Sequence, residues 1–175
     1  MTRPPTVTTR QLLLRPWQPE DLEPLFEIQG DRETMRYTWC APDRQAAEER
    51  FLAYQARGAL DGYAPWTATS REDDRGVGWG GLNQDPIDPG WGPEVGYFIR
   101  RDDWGRGLAS EITAAALHLA FAEHRLPVVD AFAQPANPAS IRVLERNGFR
   151  FLDWVPALRR NRYRIEREAW EARRG

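Results

Sequence analysis

Apolar residues recur along the chain with two spacings, and each spacing predicts one kind of element. The clearest helix lies between Leu108 and His124, where apolar residues return about every 3.6 residues and mark a buried face. Short apolar runs bounded by turn residues predict strands instead. The predicted strands are residues 11–15, 63–69, 77–82, 94–100, 128–133, 149–155 and 162–166.

Two helices are predicted between the first strand and the second. Pro19 and the acidic residues after it begin the first helix, which Pro24 is expected to kink or shorten. The second covers residues 43–57, and Gly58 is expected to end it. The whole order of strands and helices predicts a mixed α/β sandwich, of the α+β type, in which residues 1–175 form a single domain.

The composition is that of a folded protein, with 41% hydrophobic residues and eight tryptophans in 175 residues. The 24 basic and 26 acidic residues nearly balance, which argues against a nucleic-acid partner. Cys40 is the only cysteine, so an internal disulfide and a cysteine-rich metal site are excluded. Because no signal peptide or bilayer-length apolar run is present, we expect a cytoplasmic protein without a membrane partner.

Four arginines near the C-terminal end form the one strongly basic run. They are followed by glutamates, so the run does not extend into a larger basic patch. We interpret it as the solvated edge of a hairpin and not as a binding surface. The arginines are Arg159, Arg160, Arg162 and Arg164, and the glutamates are Glu166, Glu168 and Glu171.

A glycine turn between a strand and the longest helix is the first candidate for chemistry. Gly105 and Gly107 allow a sharp backbone turn and the close approach of a ligand. The free N–H groups of the first helical turn then favour an anion such as a pyrophosphate. The same residues also suit an ordinary strand-to-helix turn. Two other phosphate-binding motifs fit this turn less well. A P-loop would need Lys-Ser or Lys-Thr after the last glycine, and neither pair is present. A Rossmann fingerprint would lie in the first βαβ unit, but two helices and several strands are predicted before this turn.

A second candidate lies at the start of the helix that follows residues 128–133. Asn137 and Pro138 begin this helix, and Asn147-Gly148 ends it. Asn137 and Ser140 lie three residues apart and therefore on one face. Ordinary capping explains both residues when they are considered alone.

Taken in order, these elements resemble the GNAT superfamily of N-acetyltransferases. The likeness rests on an arginine-bearing strand, a Gly-x-Gly-x-Ala turn, a long helix, a buried strand, then Asn-x-x-Ser and Gly-Phe. Residues 9–16, 94–97 and 167–170 resemble more narrowly the branch of the ribosomal-protein alanine N-acetyltransferases. The resemblance covers almost the whole chain. It implies a mostly antiparallel, splayed sheet of about seven strands with about four helices.

The resemblance also implies a binding site for acetyl-CoA as co-substrate. In the family, the pantetheine arm lies where two strands splay, and the glycine turn binds the pyrophosphate. Trp104 departs from the glutamine or arginine that is usual there. Asn137 is expected to bind the pantetheine arm, and Ser140 to protonate the leaving thiolate. The implied cofactor-binding residues are Phe98, Ile99, Arg101, Trp104, Gly105, Arg106, Gly107, Leu108, Ala109, Ser110, Asn137 and Ser140.

The reaction so implied is acetyl transfer to a primary amine, either a protein N-terminus or a small amine. No nucleophile–base motif is present, so we expect direct attack without an acyl-enzyme and without a metal. Glu94 is the candidate general base, although a strand carboxylate near a turn is commonly just exposed. For His118 and His124 we expect packing at the surface or the edge of the core.

The acceptor amine is expected to lie against the first two helices and the loops after the early strands. Candidates for this wall are Tyr37, Trp39, Trp66, Trp79 and Trp91, and Asp85 and Asp88 could attract a cationic amine. Core or rim packing is the alternative for each aromatic residue. At the level of function, the alternative is a non-catalytic acyl-CoA-binding or sensor domain of the same fold. The sequence leaves open whether the protein is a monomer or a homodimer.

Overall fold

Eight strands form one open sheet in the computed structural model, which describes residues 4–175. All neighbouring strands are antiparallel except the fifth and the sixth, so the predicted mixed, mostly antiparallel sheet is confirmed. The strands are β1 Val7–Thr8, β2 Leu12–Arg15, β3 Trp66–Ser70, β4 Gly76–Asn83, β5 Glu94–Ile99, β6 Val128–Ala133, β7 Arg150–Val155 and β8 Arg160–Glu166. Across the sheet they lie in the order β1-β2-β3-β4-β5-β6-β8-β7.

Five α-helices flank the sheet, and a π-helical turn, Leu119–Glu123, extends the third of them. Within residues 4–175, none of the helices combines the length and the apolar character that a membrane crossing demands. The helices are α1 Leu22–Gln29, α2 Arg44–Asp61, α3 Leu108–His118, α4 Pro138–Arg146 and α5 Arg167–Ala172. β1 and α5 are the two elements that the sequence pattern did not predict.

The strand β5 separates two layers of packing, because its side chains alternate between the faces of the sheet. Val95, Tyr97 and Ile99 lie in the main core together with residues of α3. Phe98 lies on the opposite face, where it stacks on Trp79 with 4.7 Å between ring centroids beside α1 and α2. By the same alternation, Glu94 and Gly96 belong to the α1–α2 face.

The strands β5 and β6 are parallel neighbours that share a single paired position, Glu94 opposite Asp130. Just before this position, the Asp130 N–H donates to the Pro93 carbonyl oxygen at 3.1 Å. Beyond it the two strands diverge, while each remains fully paired with its other neighbour. The sheet therefore opens into a wedge between β5 and β6, as the family resemblance implied.

The basic run near the C-terminal end is not a solvated edge, so that interpretation was wrong. Arg162 and Arg164 lie on β8, on the same face as Asp130 of β6, which is only 2% exposed. Four N–H···O bonds of 2.6–2.9 Å join the two guanidinium groups to this carboxylate. Two arginines of the run, Arg162 and Arg164, are thus explained by one buried anion on the neighbouring strand.

Gly58 does not end α2, contrary to the expectation. The helix continues to Asp61, and Gly62 ends it in the left-handed conformation with φ 85°. Gly58 is required for close packing instead, because a Cβ there would lie 2.5 Å from the Ala64 Cβ. Pro24 occupies the first turn of α1, where a missing N–H breaks no hydrogen bond, and the helix is only eight residues long.

We predict that Asp130→Asn destabilises the protein, because it leaves two partly buried guanidinium groups without their anion. The free energy of unfolding, measured by urea denaturation, should fall by about 2–3 kcal/mol. Asp153→Asn on β7, which lies on the other side of β8, is the matched control, because Asp153 is exposed. Its effect should stay within about 0.5 kcal/mol. Equal effects of the two substitutions would contradict the role given to Asp130.

Candidate active site

A cavity of about 540 Å³ lies where β5 and β6 diverge. One end reaches the glycine turn and α4, and the other end reaches α2 and the segment between α1 and α2. In residues 4–175, no group of three or more His, Cys, Asp or Glu side chains is arranged to hold a metal ion. The cavity therefore has to be understood from its backbone groups, hydroxyls and charges.

The glycine turn has the geometry of an open anion site. Gly105 and Gly107 have φ values of 77° and 79°, a conformation that other residues adopt only with strain. A Cβ on either glycine would meet no heavy atom within 4 Å, so both face open space. Gly107 begins α3 without a side-chain cap. The first N–H groups of α3 therefore point toward the cavity, where the helix dipole favours a phosphate.

Buried charges hold this turn in place. Both carboxylate oxygens of Asp103 accept hydrogen bonds from Arg75, at 2.8 and 2.9 Å, and one also accepts from Arg106 at 2.7 Å. Gln11 Nε2 donates to the Arg106 carbonyl oxygen at 3.0 Å. The Trp104 indole N–H donates to the Ile99 carbonyl oxygen at 2.8 Å. The turn is thus fixed from both sides before any ligand binds.

The structure places nine of the twelve predicted cofactor-binding residues along the cavity. Arg101, Arg106 and Ser110 are not among its lining residues. Arg106 is bound by Asp103, and the Ser110 hydroxyl accepts from Asn147 Nδ2 at 3.0 Å. The nine that line the cavity are Phe98, Ile99, Trp104, Gly105, Gly107, Leu108, Ala109, Asn137 and Ser140.

Asn137 and Ser140 lie on the cofactor side of the cavity, at the start of α4. Asn137 Oδ1 accepts from the Ser140 N–H at 3.2 Å, so it caps the helix as expected. The Ser140 hydroxyl in turn lies 2.8 Å from the Tyr97 hydroxyl. Burial raises the pKa of Tyr97 to about 12, so its phenol stays protonated at neutral pH. The two hydroxyls form a hydrogen-bonded pair at the wedge.

Glu94 is half-buried at the apex of the wedge, and its environment is unusual for a carboxylate. Burial raises the pKa of Glu94 to about 8, and the negative charges of Asp85, Asp130 and Asp88 act in the same direction. The positive charge of Arg160 lowers the pKa of Glu94 but does not return it to the ordinary value of a glutamate. Glu94 is therefore a weak acid that can hold a proton and release it near neutral pH.

Aromatic rings form the wall at the far end of the cavity. Tyr37, Trp39 and Trp79 line it as expected, and so does Tyr54, which the sequence did not single out. Trp66 is fully buried in the main core, so its assignment to this wall was wrong.

Trp91 and Asp88 also lie outside the cavity lining. Trp91 packs on Phe132 beside the wedge, with 5.6 Å between ring centroids. Its indole N–H donates to Asp88 at 2.8 Å. Asp85, in contrast, lines the cavity.

Sequence reasoning missed Tyr97 as a chemical group, although residues 94–97 contributed to the resemblance. Its position on β5 places it on the α3 face, but only the fold brings α4 and Ser140 against that face. The alternation of side chains along β5 could have predicted that Glu94 and Tyr97 lie on opposite faces of the sheet. It could not have predicted which residues contact either of them.

The model of the family described as Acetyltransferase (GNAT) domain matches residues 11–150 of this chain. Among curated proteins, the chain is 28% identical over 146 residues to the "Uncharacterized N-acetyltransferase p20" of Bacillus licheniformis. That match covers 82% of each chain.

Solved structures show the same fold. An acetyltransferase from Agrobacterium tumefaciens str. C58 superposes with a TM-score of 0.80 at 24% identity, covering 93% of this chain and 94% of the other. The aminoglycoside acetyltransferase AAC(6')-Ib, in complex with coenzyme A and kanamycin, superposes with a TM-score of 0.75 at 20% identity. That match covers 94% of this chain and 99% of the other. These likenesses show the fold of the chain.

We predict that Gly107→Val prevents acetyl-CoA from raising the melting temperature of the protein, because the new side chain fills the open anion site. Gly62→Val is the matched control, because Gly62 has the same left-handed conformation, with φ 85° and ψ 2° against φ 79° and ψ 11° at Gly107, but does not line the cavity. Both variants should lose some stability through backbone strain, about 1–2 kcal/mol. Only Gly107→Val should lose the thermal shift, and an equal shift in both variants would contradict the site.

Proposed function

The chain belongs to the acetyltransferase (GNAT) domain family, and on that basis we propose that it moves an acetyl group from acetyl-CoA to a primary amine. The amine attacks the thioester directly, and no acyl-enzyme forms. One observation carries the proposal: Glu94 and the Tyr97–Ser140 pair lie on opposite faces of β5, at the wedge where this strand leaves β6. A base and an acid thus lie on the two sides of one gap.

Acetyl-CoA fits the cofactor side of the cavity. The turn at Gly105 and Gly107 and the first turn of α3 bind the pyrophosphate through backbone N–H groups. The pantetheine arm lies in the wedge along β5, near Phe98, and Asn137 binds it from α4. The Trp104 indole N–H donates to the Ile99 carbonyl oxygen, so the pantetheine arm forms its hydrogen bonds with other backbone groups of β5.

Glu94 is the general base in this proposal. A primary amine is protonated at neutral pH, because its pKa is about 10, and it must lose a proton before it can attack. A carboxylate with a pKa of about 8 accepts that proton more readily than an ordinary glutamate. Glu94 lies on the α1–α2 face, from which the acceptor approaches, and it acts directly or through a water molecule.

The transfer itself requires one bond to form and one to break. The amine nitrogen bonds to the thioester carbonyl carbon, and a backbone N–H of β5 stabilises the oxyanion. The C–S bond then breaks, and the thiolate takes a proton from the Ser140 hydroxyl. The hydroxyl of Tyr97, 2.8 Å away, returns a proton to Ser140. The first amine proton remains on Glu94 until solvent removes it. The nitrogen loses its second proton to water as the amide forms, and Tyr97 regains a proton from water, so both hydroxyls end protonated.

The acceptor is a protein N-terminus or a small amine, and the likeness to the ribosomal-protein alanine branch favours the former. The cytoplasmic location and the extent of the single domain, residues 1–175, stay predictions. The proposed function is tested by two measurements on the same protein. Acetyl-CoA should raise the melting temperature, and free CoA should appear only when amines are supplied. A thermal shift without CoA release from any amine would instead identify a non-catalytic acyl-CoA-binding domain.

We predict that Glu94→Gln lowers kcat/KM by about 100-fold or more, because the amine then loses its base. In the unchanged protein, kcat/KM should rise with pH and level off above about pH 8, the pKa of Glu94. The variant should lack this rise in the same pH series. A variant that keeps both the rate and the pH profile would remove Glu94 from the role of base.

The same substitution should change the pH dependence of stability. The pKa of Glu94 is 4.5 when it is unperturbed and about 8 in the folded protein, so the folded state binds more protons between these values. The wild-type protein therefore loses stability as pH rises through this window. Glu94→Gln removes that loss, so its melting temperature relative to wild type should increase from pH 5 to pH 8. A difference that is constant with pH would contradict the raised pKa.

We predict that Ser140→Ala and Tyr97→Phe each lower kcat by about 10- to 100-fold and leave the affinity for acetyl-CoA nearly unchanged. Both changes remove one hydroxyl of the pair and little else. Ser70→Ala is the control, because its hydroxyl accepts a turn N–H outside the cavity. Steady-state kinetics with thiol detection measures all three variants. Unchanged turnover in Ser140→Ala would assign the acid to another group.

A further inference from the structure

Three buried polar side chains at the acceptor end of the cavity each carry a polar atom that has no hydrogen-bond partner within residues 4–175. They are Gln29, Trp79 and Asn83, whose exposed fractions are only 4%, 5% and 5%. The unpaired atoms are Gln29 Nε2, Trp79 Nε1 and Asn83 Oδ1. All three residues line the cavity. Since an unpaired buried polar group is costly, this end of the cavity is built for a polar ligand.

Two arginines at the same end lack a carboxylate partner. Arg50 and Arg160 line the cavity and are half-buried, and among the described residues no carboxylate lies within 4.0 Å of either guanidinium group. The guanidinium carbon of Arg50 lies 4.6 Å from the centroid of the Trp39 ring. Other half-buried arginines of this chain, such as Arg15 and Arg162, bind a carboxylate at 2.6–2.7 Å. Arg50 and Arg160 are therefore available to an anion from outside.

Acceptors of hydrogen bonds lie next to these cations. Asn83 pairs with Glu94 across β4 and β5, so both side chains share the α1–α2 face. The free Asn83 Oδ1 and the Glu94 carboxyl group can together receive the hydrogens of an ammonium group. A Cβ on Gly96, beside them on β5, would meet only Asn83 Nδ2, 3.7 Å away, so the glycine keeps the floor of the cavity open.

From this juxtaposition we infer that the acceptor is a small molecule carrying both a primary amine and a carboxylate, an amino acid in the broad sense, and not the protein N-terminus that the branch likeness favours. The inference rests on the proposed function and names its substrate class. The amine lies at Asn83 and Glu94, and the carboxylate is bound by Arg50 and Arg160. The N–H groups of Gln29 and Trp79 donate to the remaining polar atoms of the acceptor.

The same charges select against polycations. A molecule with several ammonium groups, such as kanamycin, would place some of them near the two guanidinium groups, whereas Asp85 and Glu94 can each receive only an ammonium group beside them. Like charges in a partly buried site repel more strongly than in water. Selectivity here thus arises both from attraction of the carboxylate and from repulsion of further cations.

The wild-type protein tests the inference without any variant. CoA release is measured with free α-amino acids and ω-amino acids, with the amide of each, with diamines of matched length and with kanamycin. Each acid should exceed its own amide in kcat/KM by about tenfold or more, because a charge-assisted hydrogen bond is lost in the amide. The α- and ω-series distinguish the distance between the amine and the carboxylate. Equal rates for acids and amides, or faster turnover of diamines or kanamycin, would overturn the inference.

Two variants test the residues. Arg50→Gln and Arg160→Gln should each raise KM for the acids by about tenfold more than KM for the matched amides, so the ratio of acid to amide falls. Loss of Arg160 also raises the pKa of Glu94 further, which affects acids and amides alike and leaves their ratio as the readout. Arg36→Gln is the matched control, because Arg36 borders the same cavity but is already paired with Glu33. It should leave the ratio of acid to amide unchanged. A ratio that persists in both test variants would overturn the assignment to Arg50 and Arg160.

Failure of the inference and failure of the proposed function give different results. If amines are acetylated without preference for a carboxylate, only the inference fails. If acetyl-CoA raises the melting temperature but no amine releases CoA, the proposed function fails and the inference fails with it. The acetyl-CoA thermal shift also shows that each variant is folded, since the arginines lie away from the glycine turn.

Discussion

The single paired position between β5 and β6 is the constraint on which the rest of the structure depends. Two parallel strands that stay paired would leave no space between them, and two that never met would not fix the width of a gap. Here Glu94 and Asp130 meet once and the strands then part. Asp130 can occupy this buried position only because Arg162 and Arg164 surround it with charge-assisted hydrogen bonds. The buried ion cluster thus sets where the wedge begins.

The two ends of the cavity differ in how completely their polar groups are satisfied. At the glycine turn, Asp103 gathers Arg75 and Arg106, so the local charges are matched and the backbone N–H groups remain for a ligand. At the other end, Arg50 and Arg160 are left without carboxylates. The first end is prepared for a ligand through its backbone and the second through its side chains. This difference suits one constant co-substrate and one selected acceptor.

Features that depend on residues close in the chain were predicted correctly, and features that depend on residues distant in the chain were not. The cap at Asn137 and the turn at Gly107 depend on a few neighbouring residues, so their geometry followed from the residue types. Gly58 was misjudged because its role depends on Ala64, across the next turn of the chain. Arg162 and Arg164 were misjudged because Asp130 lies more than thirty residues away. The pairing of Tyr97 with Ser140 and the unpaired atoms of Gln29 and Asn83 exist only in the folded cavity.

The alternation of β5 has a consequence for the order of events. Its odd-numbered residues face α3 and α4, and its even-numbered residues face α1 and α2. In the proposed function, the donor binds from one face and the acceptor from the other, so they do not compete for space and both can occupy the protein together. Direct transfer needs such a ternary complex, because both substrates must be bound before either product forms. The alternation of β5 side chains between the two faces of the sheet thereby favours a sequential kinetic scheme over a ping-pong scheme.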